Sequence, residues 1–100
     1  MRNNQQEYDV VAMCGDYLFI NETKRKLGAD DVKEFAEEAL PQAREFFPEY
    51  TEKKIIGAIA SLYVDDSLVR YAERQGLFVL GAAEELMEVL NEPGFVPKYF

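Results

Sequence analysis

Glu7, Asp9, Glu22 and Lys24 have the types and spacing to hold a hard cation beside an amine. The stretch between them brings them together. Two apolar runs, residues 8–14 and 17–20, flank Gly15-Asp16 and are rich in Val, Ile, Phe and Tyr. A two-residue turn containing glycine between such runs reads as a tight β-hairpin. If Cys14 pairs with Tyr17, residues whose numbers sum to 31 lie opposite each other. Asp9 then faces Glu22, and Glu7 faces Lys24. Directly opposed residues share one face of a sheet, with Cβ atoms roughly 4.5–5.5 Å apart.

Opposed like charges destabilise an antiparallel pair, and a divalent cation between them reverses that sign. Mg²⁺ takes hard oxygen ligands and is commonly held by one or two carboxylates with waters and phosphate oxygens. Lys24, two residues beyond Glu22, projects to the same face, where an ammonium can stabilise charge developing on a phosphoryl group or orient a water. The plainer reading of the same residues is a solvated sheet face on which Lys24 is the ion-pair partner of two carboxylates.

The order Asp9, twelve residues, then Glu22-Thr23-Lys24 on the next strand resembles the PD-(D/E)XK nuclease superfamily with its restriction-endonuclease-like fold. Four segments in order make the likeness closer to a group of small uncharacterised bacterial proteins of that superfamily. They are Glu7-Tyr8-Asp9-Val10-Val11-Ala12, Glu22-Thr23-Lys24-Arg25-Lys26-Leu27, Arg44-Glu45-Phe46-Phe47-Pro48-Glu49-Tyr50 and Leu90-Asn91-Glu92-Pro93-Gly94-Phe95. The resemblance implies that Asp9 and Glu22 ligate Mg²⁺ (or Mn²⁺) with the Thr23 main-chain carbonyl as a third ligand. It implies that Lys24 is the catalytic lysine of a phosphodiester hydrolase acting on nucleic acid. The alternative is a nuclease-fold binding or assembly protein with little or no activity.

Composition bounds these readings. One hundred residues with 48% hydrophobic and 13% aromatic content make one folded domain rather than a disordered chain. No run of 18 apolar residues and no basic-then-apolar leader is present, so neither a membrane span nor a signal peptide is expected. Cys14 is the only cysteine, which excludes an intrachain disulfide and reads as a small buried thiol in a cytoplasmic protein. The absence of histidine excludes a His general base and His-ligated zinc. A net charge of −8 opposes simple nucleic-acid binding, where cationic side chains neutralise phosphates. The basic cluster Lys24-Arg25-Lys26 directly follows the candidate ligands.

The elements that must position these residues follow in order. The expected fold is α/β: a central mixed sheet opened by the hairpin (7–24) and flanked by two helices (31–47 and 66–75). It is a restriction-endonuclease-like core without its first helix and strand, because residues 1–6 are polar and too short for either. The chain is then either part of a longer one or covered by a second copy. An uncovered sheet edge invites another strand, so a homo-oligomer, most simply a dimer, is expected. Apolar residues on both sides of the hairpin predict a strand pair covered on both faces.

Asp31 and Glu34 have capping-box spacing. Val32, Phe35, Ala36, Ala39, Ala43, Phe46 and Phe47 form one helical face, leaving Glu34, Glu37 and Glu38 toward solvent. Pro41 should kink that helix or end its first half near Leu40. Arg44 is expected to pair with a nearby glutamate rather than face a substrate. Residues 55–63 read as a central strand in which Gly57, Ala58 and Ala60 let a helix approach. Asp65-Asp66-Ser67 caps the second helix, Gly76 ends it, and Arg70 and Arg74 form a solvated face. Residues 77–80 read as a strand parallel to 55–63 through a right-handed crossover. Residues 82–90 are ambiguous: propensity favours a helix, the resemblance a strand over 86–90. Residues 91–100 read as an extended tail whose Phe95, Tyr99 and Phe100 need an apolar surface.

Overall fold

A computed structural model describes residues 10–50, 52–82 and 87–100. Five strands form one mixed sheet in the order β1-β2-β3-β4-β5: β1 (Val10–Cys14), β2 (Tyr17–Lys26), β3 (Lys54–Tyr63), β4 (Phe78–Ala82) and β5 (Met87–Val89). Strands β2, β3 and β4 run parallel, while β1 and β5 close the edges in antiparallel pairs. The hairpin turn is Gly15-Asp16, with Gly15 at φ 57°. The register holds from Cys14↔Tyr17 to Val10↔Asn21, as the turn predicts. Glu7 and Asp9 lie outside the described residues.

Strands β2, β3 and β4 follow one another across the sheet, so two right-handed crossovers put both connecting helices on the same face. The first connection is one continuous helix: α1 (Ala29–Glu34), a π turn (Phe35–Ala39) and α2 (Leu40–Phe46). The second is α3 (Asp66–Arg74). Val32, Phe35, Leu40 and Ala43 from the first helix and Leu68, Val69 and Ala72 from α3 bury against Leu18, Ile20, Ile55, Ile59 and Val79 of the sheet. Gly57 makes the close approach possible. A Cβ there would lie 2.3 Å from Leu40 Cδ1 and 2.8 Å from Leu77 Cδ2. Ala58 and Ala60 point to the opposite face, so only the glycine of that small-residue run serves the helix.

The other face is not layered with helix, which corrects the expectation of cover on both sides. It carries Tyr17, Phe19, Ile56, Phe78 and Leu80, and the C-terminal tail crosses part of it. The Phe95 ring meets Phe78 edge-on at 5.1 Å, and Tyr99 lies 5.9 Å from Tyr17 with Lys54 Nζ over its ring. The Phe100 N–H donates to Ile55 O, and the Lys98 N–H to Gly76 O. All five residues of β1 are exposed, including Cys14. Cys14 is therefore not a buried thiol, because it sits on the outermost strand rather than in a covered pair.

Two further expectations change. Asp31 is the third residue of α1, not its cap. Gly28 is the cap, and its N–H donates to Asp31 Oδ2 at 2.9 Å. Pro41 neither ends nor splits the helix. The π turn before it lets the Leu40 N–H reach Phe35 O, five residues back, and it loosens the helix where the proline ring would meet a carbonyl. That extra residue rotates Leu40 into the core. Arg44 donates from Nε to Phe100 O and from Nη2 to Lys53 O, tying the end of the helix to the tail and to the start of β3. The ambiguous segment contains a strand, β5, paired antiparallel with β4, because Val89 and Leu80 complete the ladder. Residues 83–86 lie outside the described residues.

Asp65 caps α3: its side chain accepts from the Leu68 N–H at 2.8 Å and from the Ser67 hydroxyl at 2.7 Å. The Ser67 hydroxyl first, and the Leu68 N–H second, hold its carboxyl below the usual aspartate range. The folded chain thus takes up that proton less readily than the unfolded chain. The cap stabilises fully above the ordinary aspartate value of about 3.9, and the contribution fades as pH falls through the lowered value. Asp65→Ala should lower the thermal midpoint near neutral pH, and the gap to wild type should narrow in scans at about pH 3. A gap independent of pH would show that the carboxylate is not what caps the helix.

Candidate cation site

Strand β2 changes character along its length. Leu18 and Ile20 face the helices and are buried, and two residues on, the same face continues as Glu22 and Lys24. Alternation guarantees the shared face. Glu22 lies beside Ile59 and Lys24 beside Ser61 on β3. Ser61 is buried, and its Oγ donates to Arg25 O at 3.0 Å, which holds the end of β2 against β3. The crossover then lays the start of the first helix over this end of the strand. Asp31, Glu34, Phe35 and Ala39 form the facing wall of a recess of about 40 Å³ floored by Glu22 and Lys24. A single water requires roughly 10–15 Å³.

Lys24 Nζ stands 4.0 Å from Glu22 Oε1 and 4.0 Å from Asp31 Oδ1. Its side chain is 42% exposed, so these contacts are loose, solvent-screened pairs of small energetic weight. Asp31 is held in two directions, Oδ2 on the Gly28 N–H and Oδ1 toward Lys24. The recess therefore sets the carboxylates of Glu22 and Asp31 beside one ammonium, with Glu34 on its lining. Among the described residues, no group of three or more Asp, Glu, Cys or His side chains has the geometry of a complete metal cage. A Mg²⁺ ion needs less than that, since one or two carboxylates with waters suffice. The donor chemistry of Glu22, with the Thr23 carbonyl beside it, fits a hard cation.

Glu22 and Lys24 stand together as their spacing predicts. Asp9, the third member of the set, lies outside the described residues. A family model matches residues 2–89, a span that takes in the hairpin, both helices and every residue of the recess. The chain belongs to the family described as Domain of unknown function (DUF8196). No curated protein and no solved structure matches it. The DUF8196 description assigns no activity.

Two residues of the DUF8196 recess escape a reading by sequence. Asp31 looks like a cap, and Glu34 is exposed as its place on the helix predicts, yet both line the recess. Their signal is positional. They precede Phe35 on the rim of the apolar stripe, in the first turns of a helix entered directly from β2. A right-handed crossover brings those turns back over the strand that feeds them. The basic cluster divides between faces: Lys24 and Lys26 share the helix face and Arg25 takes the other. Arg70 is exposed, and the Arg74 guanidinium lies 5.8 Å from the Tyr71 ring on the same helix. No helix among the described residues is long and apolar enough to cross a membrane.

Proposed function

We propose that this chain is a divalent-cation-dependent phosphodiester hydrolase on a restriction-endonuclease-like fold, with Glu22, the Thr23 carbonyl and Asp9 holding Mg²⁺ or Mn²⁺ and Lys24 as the catalytic lysine. The supporting observation is the pairing of Glu22 and Lys24 in one polar recess, 4.0 Å apart, with the helix wall closing over them. The hairpin register adds support as far as Val10↔Asn21, the pair next to the one the reading needs. A bound divalent cation supplies Lewis acidity toward a phosphoryl oxygen and makes a water nucleophilic near neutral pH.

The chain's own residues do the rest. Glu22 would hold the cation beside Lys24, so that a phosphate drawn to that charge would meet the ammonium. The Lys24 ammonium, mobile on a four-carbon stem, donates to an oxygen of that phosphate as negative charge builds on it. Asp31, anchored on the Gly28 N–H, holds the Lys24 ammonium toward the recess. Phe35 and Ala39 close the inner side and limit water.

The net charge of −8 favours the second reading, a nuclease-fold binding or assembly protein with little turnover. Calorimetric titration with Mg²⁺ or Mn²⁺ separates the two. Wild type should give a binding isotherm, and Glu22→Ala should give none while retaining its far-UV spectrum. A wild type without heat, or a variant indistinguishable from it, removes the cation site.

A further inference from the structure

Among the described residues, strand β1 is an edge without a guard. Its sequence, Val10-Val11-Ala12-Met13-Cys14, contains no charge, proline or glycine, and all five residues are exposed, Val10 to 53% and Met13 to 56%. Edges that must stay single are usually protected by charge, proline, bulges or shortness. The opposite edge is protected: β5 is three residues long and carries exposed Glu88 at its centre.

The direction of the free backbone groups follows from the hairpin. A two-residue turn makes Cys14 and Tyr17 a hydrogen-bonded pair, so Cys14, Ala12 and Val10 turn their N–H and C=O toward β2. Val11 and Met13 turn theirs outward. An incoming antiparallel strand must offer outward groups at the same spacing, and a second copy of β1 does so when a two-fold axis passes through Ala12. Val11 then exchanges both bonds with the partner's Met13, and the partner's Val11 with Met13. Ala12 faces its own copy, and Val10 faces the partner's Cys14. Every one of the five positions meets an apolar residue. A shift of one residue sets outward groups against inward ones, and a shift of two brings Asp16 or Asp9 into the ladder. Charge selects the same strand. Two copies of −8 repel over most of their surface, and β1 is a neutral stretch on which they can meet.

We propose that the protein is a two-fold symmetric dimer in which the two β1 strands pair antiparallel about Ala12, joining the sheets into one of ten strands. Such an interface is isologous and closes, leaving the guarded β5 edges at the ends. The inference stands independently of the hydrolase reading, since neither Glu22 nor Lys24 takes part.

Three measurements test it. Light scattering of wild type should give twice the chain mass of 11.5 kDa. In hydrogen exchange, the Val11 and Met13 amides should be protected, and protection should fall on dilution. Cysteine crosslinking tests the register. Ala12→Cys in a Cys14→Ala background should oxidise to a covalent dimer, because opposed residues in a non-hydrogen-bonded pair have Cα atoms about 4.5 Å apart, within disulfide range. Wild type should not crosslink through Cys14, which lies about 13 Å from its counterpart along the strands. Met13→Lys should weaken the dimer about tenfold or more while leaving the monomer folded. A monomer at every soluble concentration, unprotected Val11 and Met13 amides, crosslinking through Cys14 rather than position 12, or a dimer indifferent to Met13→Lys would each overturn the proposal.

Discussion

Replacing Lys24 by alanine is expected to slow phosphodiester hydrolysis by about 10²–10³-fold, the usual loss when one donor to a developing anion is removed. Cation binding should be kept or tightened at the same time. Lys24 stands 4.0 Å from both Glu22 and Asp31 and offsets part of their negative charge. Without it the recess is more anionic, so a divalent ion meets less repulsion and more attraction. Stability should change by no more than about 0.5 kcal/mol, because the side chain is 42% exposed and its ion pairs are screened. The measurements are turnover on supercoiled plasmid and on single-stranded oligonucleotides, beside calorimetric titration with Mn²⁺. Activity and cation affinity should move apart. A variant that loses both together would place Lys24 in the structure of the site rather than in its chemistry. A variant as active as wild type would remove the hydrolase reading.

Phe35→Ala is expected to cost about 3–5 kcal/mol of folding stability, the range for truncating a buried phenylalanine. For a domain of this size that is at least about a fifth of the total, which is typically 5–15 kcal/mol. Phe35 is 2% exposed and sits at the start of the π turn, its ring reaching over the dent left by Gly57. The surroundings cannot collapse into the vacated space, because strand β3 beneath it is locked between β2 and β4. The ring also forms the inner wall of the recess, so cation affinity should weaken in this variant even under conditions where it stays folded. Urea unfolding followed by circular dichroism gives the first number and calorimetry the second. A loss below about 1 kcal/mol would mean that the helix layer repacks freely, against the close approach seen at Gly57.

Much of this architecture is legible residue by residue. Gly15-Asp16 between two apolar runs determines a hairpin and its register. The run from Ile55 determines a central strand, and Asp65 with Gly76 brackets a helix. These signals are local, since turn chemistry, side-chain alternation and capping act over two to five residues. The same locality explains the errors. Asp31 carries a cap signal whether it caps or merely accepts from the residue that does, and only the entry path from β2 distinguishes the two. Leu40 falls off the apolar stripe at a period of 3.6 residues and returns to it because a π turn adds a residue ahead of Pro41.

By itself, the order of residues determined that Glu22 and Lys24 share a face, because alternation along a strand admits nothing else. It also pointed to β4 running parallel to β3, because a strand, a helix and a further strand in one sheet favour a right-handed crossover. Only the tertiary structure decided which face the helices cover, that Asp31 and Glu34 complete the recess, and that β1 is left open to solvent. Those outcomes depend on the handedness of two crossovers taken in the same direction across the sheet. That property belongs to the path of the whole chain and appears in no short stretch of it.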